Sequence, residues 1–296
     1  MEIESISVFD MLKIGVGPSS SHTLGPWRAA ERWLARLNSK NNLEKVEEVE
    51  VHLYGSLSLT GKGHATDYAV MLGLLGADPE LIPIDSIDSL INTIKNEHVL
   101  HLDGTYKITF DPKKHIVFNR KFLPFHANGL KFQAILKSGK KISKTYYSIG
   151  GGFVISEERK NAKRKVDMFN KFPFPVQKGT ELLDFCKKEG LMISELVLEN
   201  EKSLRDDKTI DHELERIWNT MLECMYTGCH TEGTLPGGLN VKRRAFEMHN
   251  KLKSDIPYTT PEEWLQTIRQ TEVKFRQILQ WVSCFALSVN EVNASL

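Results

Sequence analysis

Apolar residues recur along the chain with two different periods, and the change of period divides it. From Val46, "VEEVEVHLYGSL" alternates, with Val49, Val51 and Leu53 on one side and Glu50, His52 and Tyr54 on the other, as a half-buried strand requires. The run leads through "GSLSLTGKG" into "HATDYAVMLGLLG", where Tyr68, Ala69, Leu72 and Leu75 share one helical face and Gly76 supplies a C-terminal cap. "GTYKITF", "HIVFN", "GLKFQAILK" and "KISKTYYSI" read as further strands, the last two joined by the turn "SGKK". Strands interleaved with helices predict a mixed sheet for this half.

Beyond it the pattern changes. Residues 156–170 are charged and aperiodic, and "FPFPVQKG" follows with two prolines, which predicts a linker. Everything after has the helical period. "TELLDFCKKEG" ends on Gly190. "DHELERIWNTMLECMYTG" sets Leu214, Ile217, Trp218, Met221 and Met225 in one stripe. "TTPEEWLQTIRQ" opens with Thr260 as N-cap, Pro261 in the first turn and Glu263 closing a capping box. The expected fold class is α+β: a mixed α/β domain over 1–157, a linker over 158–178 and a helical domain over 179–296. The closing "VKFRQILQWVSCFALSVNEVNASL" is apolar enough to require cover, from a second chain or from more of its own domain.

Composition narrows the partners. The 296 residues carry 39 Lys+Arg against 38 Asp+Glu, so no bulk field draws in nucleic acid or an anionic membrane, and a small molecule or another protein is expected. No apolar run approaches the roughly 20 residues of a membrane span, and "MEIESISVFDML" lacks a basic segment before an apolar one; the expected location is the cytoplasm. Cys186, Cys224, Cys229 and Cys284 form no C-x-x-C pair, which argues against a disulfide framework.

The candidate chemistry sits in glycine-flanked polar stretches. "GVGPSSSHTLGP" brings hydroxyls and an imidazole to the start of "WRAAERWLARL", where helix N–H groups and the helix dipole favour anions. "GKGHATD" places His64 three residues before Asp67, a spacing that lets a helical carboxylate orient an imidazole as general base. "LPFHANG" and "YYSIGGG" add His126, Asn128 and backbone donors. Each alone is an ordinary turn; together they suit a small zwitterion with a carboxylate. "GSLSLTGKG" fails as a phosphate loop because Gly63 stands where Ser or Thr must follow Lys62, and "GVGPSS" fails as a dinucleotide fingerprint. Lys62 has no phosphate cup around it, so pyridoxal phosphate is not expected.

Read together, "SVFDMLKIGVGPSSSHTLGP", "YGSLSLTGKGHATD", "SKTYYSIGGGF", "LPFHANG", "TEGTLPGGLNVKRRA" and "WVSCFALSVNEVNA" resemble the iron–sulfur L-serine dehydratases over nearly the whole chain. The resemblance implies a β domain related to the allosteric substrate-binding domain of some phosphoglycerate dehydrogenases, followed by a helical α domain. It implies elimination of water from L-serine, giving pyruvate and ammonia. A [4Fe-4S] cluster would act on the serine hydroxyl and His64 would take the α-proton. Ser19, Ser20, Ser21, His22 and Thr23, with His126, Asn128, Ser148 and Gly150, would hold the substrate; Arg243 and Arg244 are weaker candidates for anion binding. The family's three cluster cysteines fall beyond Leu296, and none of the four cysteines here matches one. The expectation is therefore no metal ligand in this chain and negligible turnover by it alone. Its partner would be the remaining α region or a second copy in a homodimer. The rival reading is a serine-binding regulatory module without chemistry.

Overall fold

The computed structural model describes residues 6–17, 19–157, 172–234, 242–253, 255–270 and 284–285. The linker expected over 158–178 lies mostly outside them, as do "LPGGLNV" and most of the closing apolar segment. Along the chain the elements are α1 (Val8–Met11), α2 (Gly25–Ser39), β1 (Val46–Tyr54), α3 (Ser56–Leu59), α4 (Thr66–Leu75), α5 (Ile87–Glu97), β2 (Val99–Leu102), β3 (Tyr106–Thr109), α6 (Pro112–His115), β4 (Ile116–Asn119), β5 (Gly129–Leu136), β6 (Lys141–Ser148) and β7 (Val154–Ser156). The remainder is helical: α7 (Gly179–Glu189), α8 (Ile193–Lys202), α9 (Asp207–His230), α10 (Ala245–Leu252) and α11 (Pro261–Gln270). Among the described residues no helix is long and apolar enough to cross a membrane.

The chain forms two compact units, residues 1–13 with 158–220 and residues 14–157 with 221–296. In the first, Glu201 explains why so short an N-terminal helix belongs there. Its carboxylate is buried, accepts from Ser7 Oγ at 2.9 Å and the Val8 N–H at 2.7 Å, and pairs with Arg205 at 2.6 Å. A buried charge is tolerated only when its lone pairs are filled in this way.

The second unit is built on a five-stranded sheet of order β4-β1-β5-β6-β7, with β1 parallel to β4 and every other pairing antiparallel, the mixed sheet expected. The alternation in β1 does what it predicts: Val49, Val51 and Leu53 are fully buried. β5 and β6 form the hairpin, turning through Gly139 at φ +78°. Helix α2 lies against the sheet with Trp27, Trp33, Leu34 and Leu37 in the core, and Trp33 stacks on Phe132.

Helix α4 differs from expectation. Ala69 and Leu72 are buried, but so are Val70, Met71, Gly73 and Leu74, whereas Tyr68 and Leu75 are only partly covered. The helix is enclosed rather than one-faced because α2 and β2 both pack on it. The approach to α2 is close: a Cβ at Gly73 would lie 2.6 Å from the Trp27 carbonyl oxygen and 2.7 Å from Ala30 Cβ.

Around α10 and α11, Leu222, Met225, Cys229, Trp264 and Cys284 form a smaller core. The expected stripe on α9 is not buried as a whole, since Leu214, Trp218 and Met221 are exposed. Thr260 caps α11 as expected, its Oγ1 accepting from the Glu263 N–H at 3.2 Å, and the Glu263 carboxylate reaches back to accept from the Thr259 N–H at 2.7 Å, one residue before the cap.

Candidate active site at one end of the sheet

Strand directions gather the polar loops. β5 runs antiparallel to β1 and β6 antiparallel to β5, so the end of β1, the start of β5 and the end of β6 meet at one end of the sheet. There stand Gly55–Ser56, His126–Asn128 and Ser148–Gly152, and the turn before α2 joins them by hydrogen bonds.

That turn is a single π-helical turn, Ser20–Leu24, running directly into α2. Ser19 caps it, its Oγ accepting from the His22 N–H at 3.3 Å; Ser19 Oγ and Ser21 Oγ lie 3.4 Å apart, and Ser20 is exposed. Ser148, fully buried, donates from Oγ to the Ser21 carbonyl at 2.7 Å. Asn128 donates from Nδ2 to the Ser148 carbonyl at 3.2 Å, and its own N–H donates to His126 Nδ1 at 3.1 Å. Ser148 and Asn128 therefore fix the turn from beneath. Gly150, Gly151 and Gly152 all have left-handed φ, which only glycine adopts three times in succession without strain. A Cβ at Gly150 would meet nothing within 4 Å, so its requirement is conformational and leaves open space.

Two imidazoles face each other above this support, His22 and His64, with ring centroids 4.9 Å apart and planes inclined by 34°. Thr23 Oγ1 donates to the His64 carbonyl at 2.9 Å, and Thr66 Oγ1 donates to the His22 carbonyl at 2.6 Å, so each backbone holds the other. His22 sits between two hydroxyls, Ser21 Oγ at 2.9 Å from Nδ1 and Ser56 Oγ at 2.8 Å from Nε2. Burial, and secondarily the charge of His64, lower its pKa, so His22 is neutral at neutral pH.

His64 Nδ1 lies 3.0 Å from the Thr60 carbonyl oxygen. A carbonyl only accepts, so Nδ1 carries a proton, and Nε2 is the ring nitrogen that bears the lone pair in the neutral tautomer. The orienting partner is thus a carbonyl and not Asp67. His64 ends the 3-10 turn Gly61–His64, Ala65 is left-handed at φ +50°, and α4 begins only at Thr66, so the helical spacing assumed for His64 and Asp67 does not exist. Burial raises the Asp67 carboxyl above its usual range, against the pull of its own backbone N–H and of Lys95.

Sequence reasoning missed Ser56 and Thr66. Both stood in motifs already singled out, and Gly55 before Ser56 was a signal: its φ is +55° and a Cβ there would strike the Ala127 carbonyl. Lys62 Nζ lies 5.4 Å above the Phe118 ring. In the helical part Arg243 is buried, its N–H donating to the Gly233 carbonyl at 2.9 Å, and Arg244 immediately precedes α10.

An iron–sulfur cluster needs several converging thiolates. Cys229 and Cys284 place their sulfurs 3.6 Å apart in the Trp264 core, Cys186 lies on α7 and Cys224 on α9. Among the described residues no three His, Cys, Asp or Glu side chains gather as a metal site. The described residues do not fit the cluster.

Comparison with known proteins points the same way as the loops. The chain is 38% identical over 294 residues to an L-serine dehydratase of Haemophilus influenzae, covering 98% of this chain and 61% of that protein. It is 42% identical over 295 residues to an L-serine dehydratase of Streptomyces coelicolor and 40% identical over 293 residues to L-serine dehydratase 1 of Escherichia coli, again covering 98% of this chain and 61% of each. The chain thus spans about three fifths of the length of these relatives. The family model for the serine dehydratase alpha chain matches residues 188–296, and that for the beta chain matches residues 7–159, more than half of the chain and all of the loops around His22 and His64. On that match the chain belongs to the serine dehydratase family.

Proposed function

We propose that the chain supplies the base and the amino-acid pocket of an L-serine dehydratase. The observation that carries the reading is His64, an imidazole with Nδ1–H on the Thr60 carbonyl, which makes Nε2 the basic atom of its neutral tautomer, beside a turn rich in hydroxyls. His64 Nε2 takes the α-proton of L-serine. The substrate carboxylate and ammonium are held by the turn Ser19–Thr23, in which neutral His22 adds a hydrogen bond without a competing charge, and by His126 and Gly150. Ser148 and Asn128 act through the turn rather than on the substrate.

Loss of the α-proton and of the β-hydroxyl as hydroxide leaves 2-aminoacrylate and water. Tautomerisation to the imine and hydrolysis then give pyruvate and ammonia. The family suggests an iron–sulfur cofactor; its [4Fe-4S] form and its ligands, outside the residues described, belong to this proposal. So do the division at residues 157 and 178, a homodimeric state and a cytoplasmic location. The regulatory-module reading is not favoured, because the relatives matched over 98% of the chain are L-serine dehydratases.

The test separates binding from chemistry. Calorimetric titration of the full chain with L-serine is expected to show binding that His22→Ala abolishes. Enzyme assembled with its iron–sulfur centre is expected to lose about 100-fold or more of its pyruvate formation on His64→Gln, the usual effect of removing a general base, while still binding serine. Unchanged pyruvate formation in that variant overturns the reading.

A further inference from the structure

The His22 ring spends both of its nitrogens on hydroxyls: Nδ1 lies 2.9 Å from Ser21 Oγ and Nε2 lies 2.8 Å from Ser56 Oγ. All three residues are half-buried, so none is sealed in the core.

Ser56 is placed by its backbone. Its N–H donates to the Ala127 carbonyl at 3.0 Å, between His126 and Asn128, and its carbonyl accepts from both the N–H and the Oγ1 of Thr60 at 3.0 Å. The Thr60 carbonyl in turn accepts from His64 Nδ1. One short segment therefore sets the Ser56 hydroxyl against His22 and the His64 imidazole against the same ring. Among the described residues Ser56 Oγ bonds only His22, and a hydroxyl that makes one bond has capacity for more.

The sense of that capacity follows from the imidazole. A neutral ring has one N–H and one lone pair. The hydroxyl facing the lone pair gives its hydrogen to the ring and can then only accept. The hydroxyl facing the N–H accepts from the ring and keeps its own hydrogen to donate. In either tautomer of His22, Ser21 and Ser56 thus become one acceptor and one donor at the two nitrogens of a single ring. A zwitterionic amino acid needs both, a donor for its carboxylate and an acceptor for its ammonium.

We infer that Ser56 is a substrate-binding residue, paired with Ser21 through His22 to hold the two charged ends of L-serine. The inference rests on the amino-acid pocket proposed above and deepens it, since His22 then acts by dividing two hydroxyls into a donor and an acceptor. With hydrogen on Nδ1, Ser56 is the acceptor and takes the ammonium. With hydrogen on Nε2, Ser56 is the donor and takes the carboxylate.

Two measurements on the full chain test this. Imidazole ¹⁵N shifts, with His22 assigned from His22→Ala, read the tautomer. Calorimetric titration with L-serine, with ethanolamine, which lacks the carboxylate, and with β-hydroxypropionate, which lacks the ammonium, reads the contacts. Ser56→Ala is expected to weaken L-serine binding about tenfold, the weight of one hydrogen bond to a charged group, and Ser56→Thr, which keeps the hydroxyl, to stay within about threefold of wild type. Ser56→Ala is also expected to weaken only the analogue that keeps the group Ser56 holds: ethanolamine for the Nδ1–H tautomer, β-hydroxypropionate for the Nε2–H tautomer. Equal weakening of both analogues, or weakening of the other one, overturns the inference, because a merely structural defect would not discriminate between them as the tautomer requires. Unchanged L-serine affinity in Ser56→Ala overturns it while leaving the pocket standing. A wild-type chain that binds no L-serine overturns the pocket and this inference with it.

Discussion

Gly25→Ala is the sharpest test of how the candidate site is assembled. Gly25 begins α2 at φ −61°, an ordinary helical value, so the substitution introduces no backbone strain and its effect is steric. The new Cβ would overlap Ser148 Oγ and lie 2.7 Å from Ser148 Cβ, against a side chain that is fully buried and committed to the Ser21 carbonyl. Overpacking a filled interior costs about 1–3 kcal/mol, and displacing the hydroxyl removes a hydrogen bond of about 1 kcal/mol. Against this, replacing glycine by alanine in a helix gains at most about 1 kcal/mol. The steric loss wins, and the net expectation is destabilisation by about 2 kcal/mol, a fall in Tm of roughly 4–8 °C for a unit of this size.

Thermal unfolding followed by near-UV circular dichroism reads the change. The Gly25→Ala/Ser148→Gly double variant, which clears both clashing atoms, is expected to recover more than half of the loss that Gly25→Ala adds to wild type. A Gly25→Ala chain as stable as wild type, or a double variant whose losses simply add, refutes the packing argument.

Two further outcomes follow from the helical core and the cysteines. Burial, helped by the charges of His230 and Lys253, pushes the His249 pKa from 6.5 down to about 4, while Trp264 Nε1 donates to its Nε2 at 3.0 Å and Tyr258 engages His230 at 2.8 Å. The unfolded chain therefore binds a proton that the folded one refuses between pH 6.5 and about 4, and stability should fall across that window as pH is lowered, by at most ~3 kcal/mol; denaturant midpoints measured at successive pH values check this, and an equal slope in His249→Gln counts against it. Cys186 and Cys224 are half-buried whereas Cys229 and Cys284 are fully buried, and burial also raises the Cys224 thiol pKa. Mass-resolved alkylation of the native chain should modify Cys186 first, Cys224 more slowly, and the other two only after denaturation; early labelling of Cys229 would contradict the burial.

What could be read from sequence depended on the range of the interaction responsible. β1 was legible because alternation is a local consequence of one buried face, and the α11 cap because its partners lie within four residues of each other. The stripe on α4 misled because apolar residues all round a helix carry no direction; only the neighbours on both sides, α2 and β2, decide that Val70, Met71 and Leu74 are also enclosed. The polar loops were legible as a set, since glycine, hydroxyl and imidazole residues mark turns capable of chemistry. Their internal wiring was not. The bonds that align the two imidazoles run from His22 to Ser56 and Thr66, 34 and 44 residues away, and exist because the strands end together. Spacing alone gave His64 a carboxylate partner three residues on; a single left-handed residue, Ala65, breaks that helix and gives it a carbonyl four residues back instead. The exchange matters chemically, because the carbonyl, which can only accept, still fixes the Nδ1–H tautomer and the ring orientation that the carboxylate was expected to supply, and so makes Nε2 the nitrogen that can take a proton.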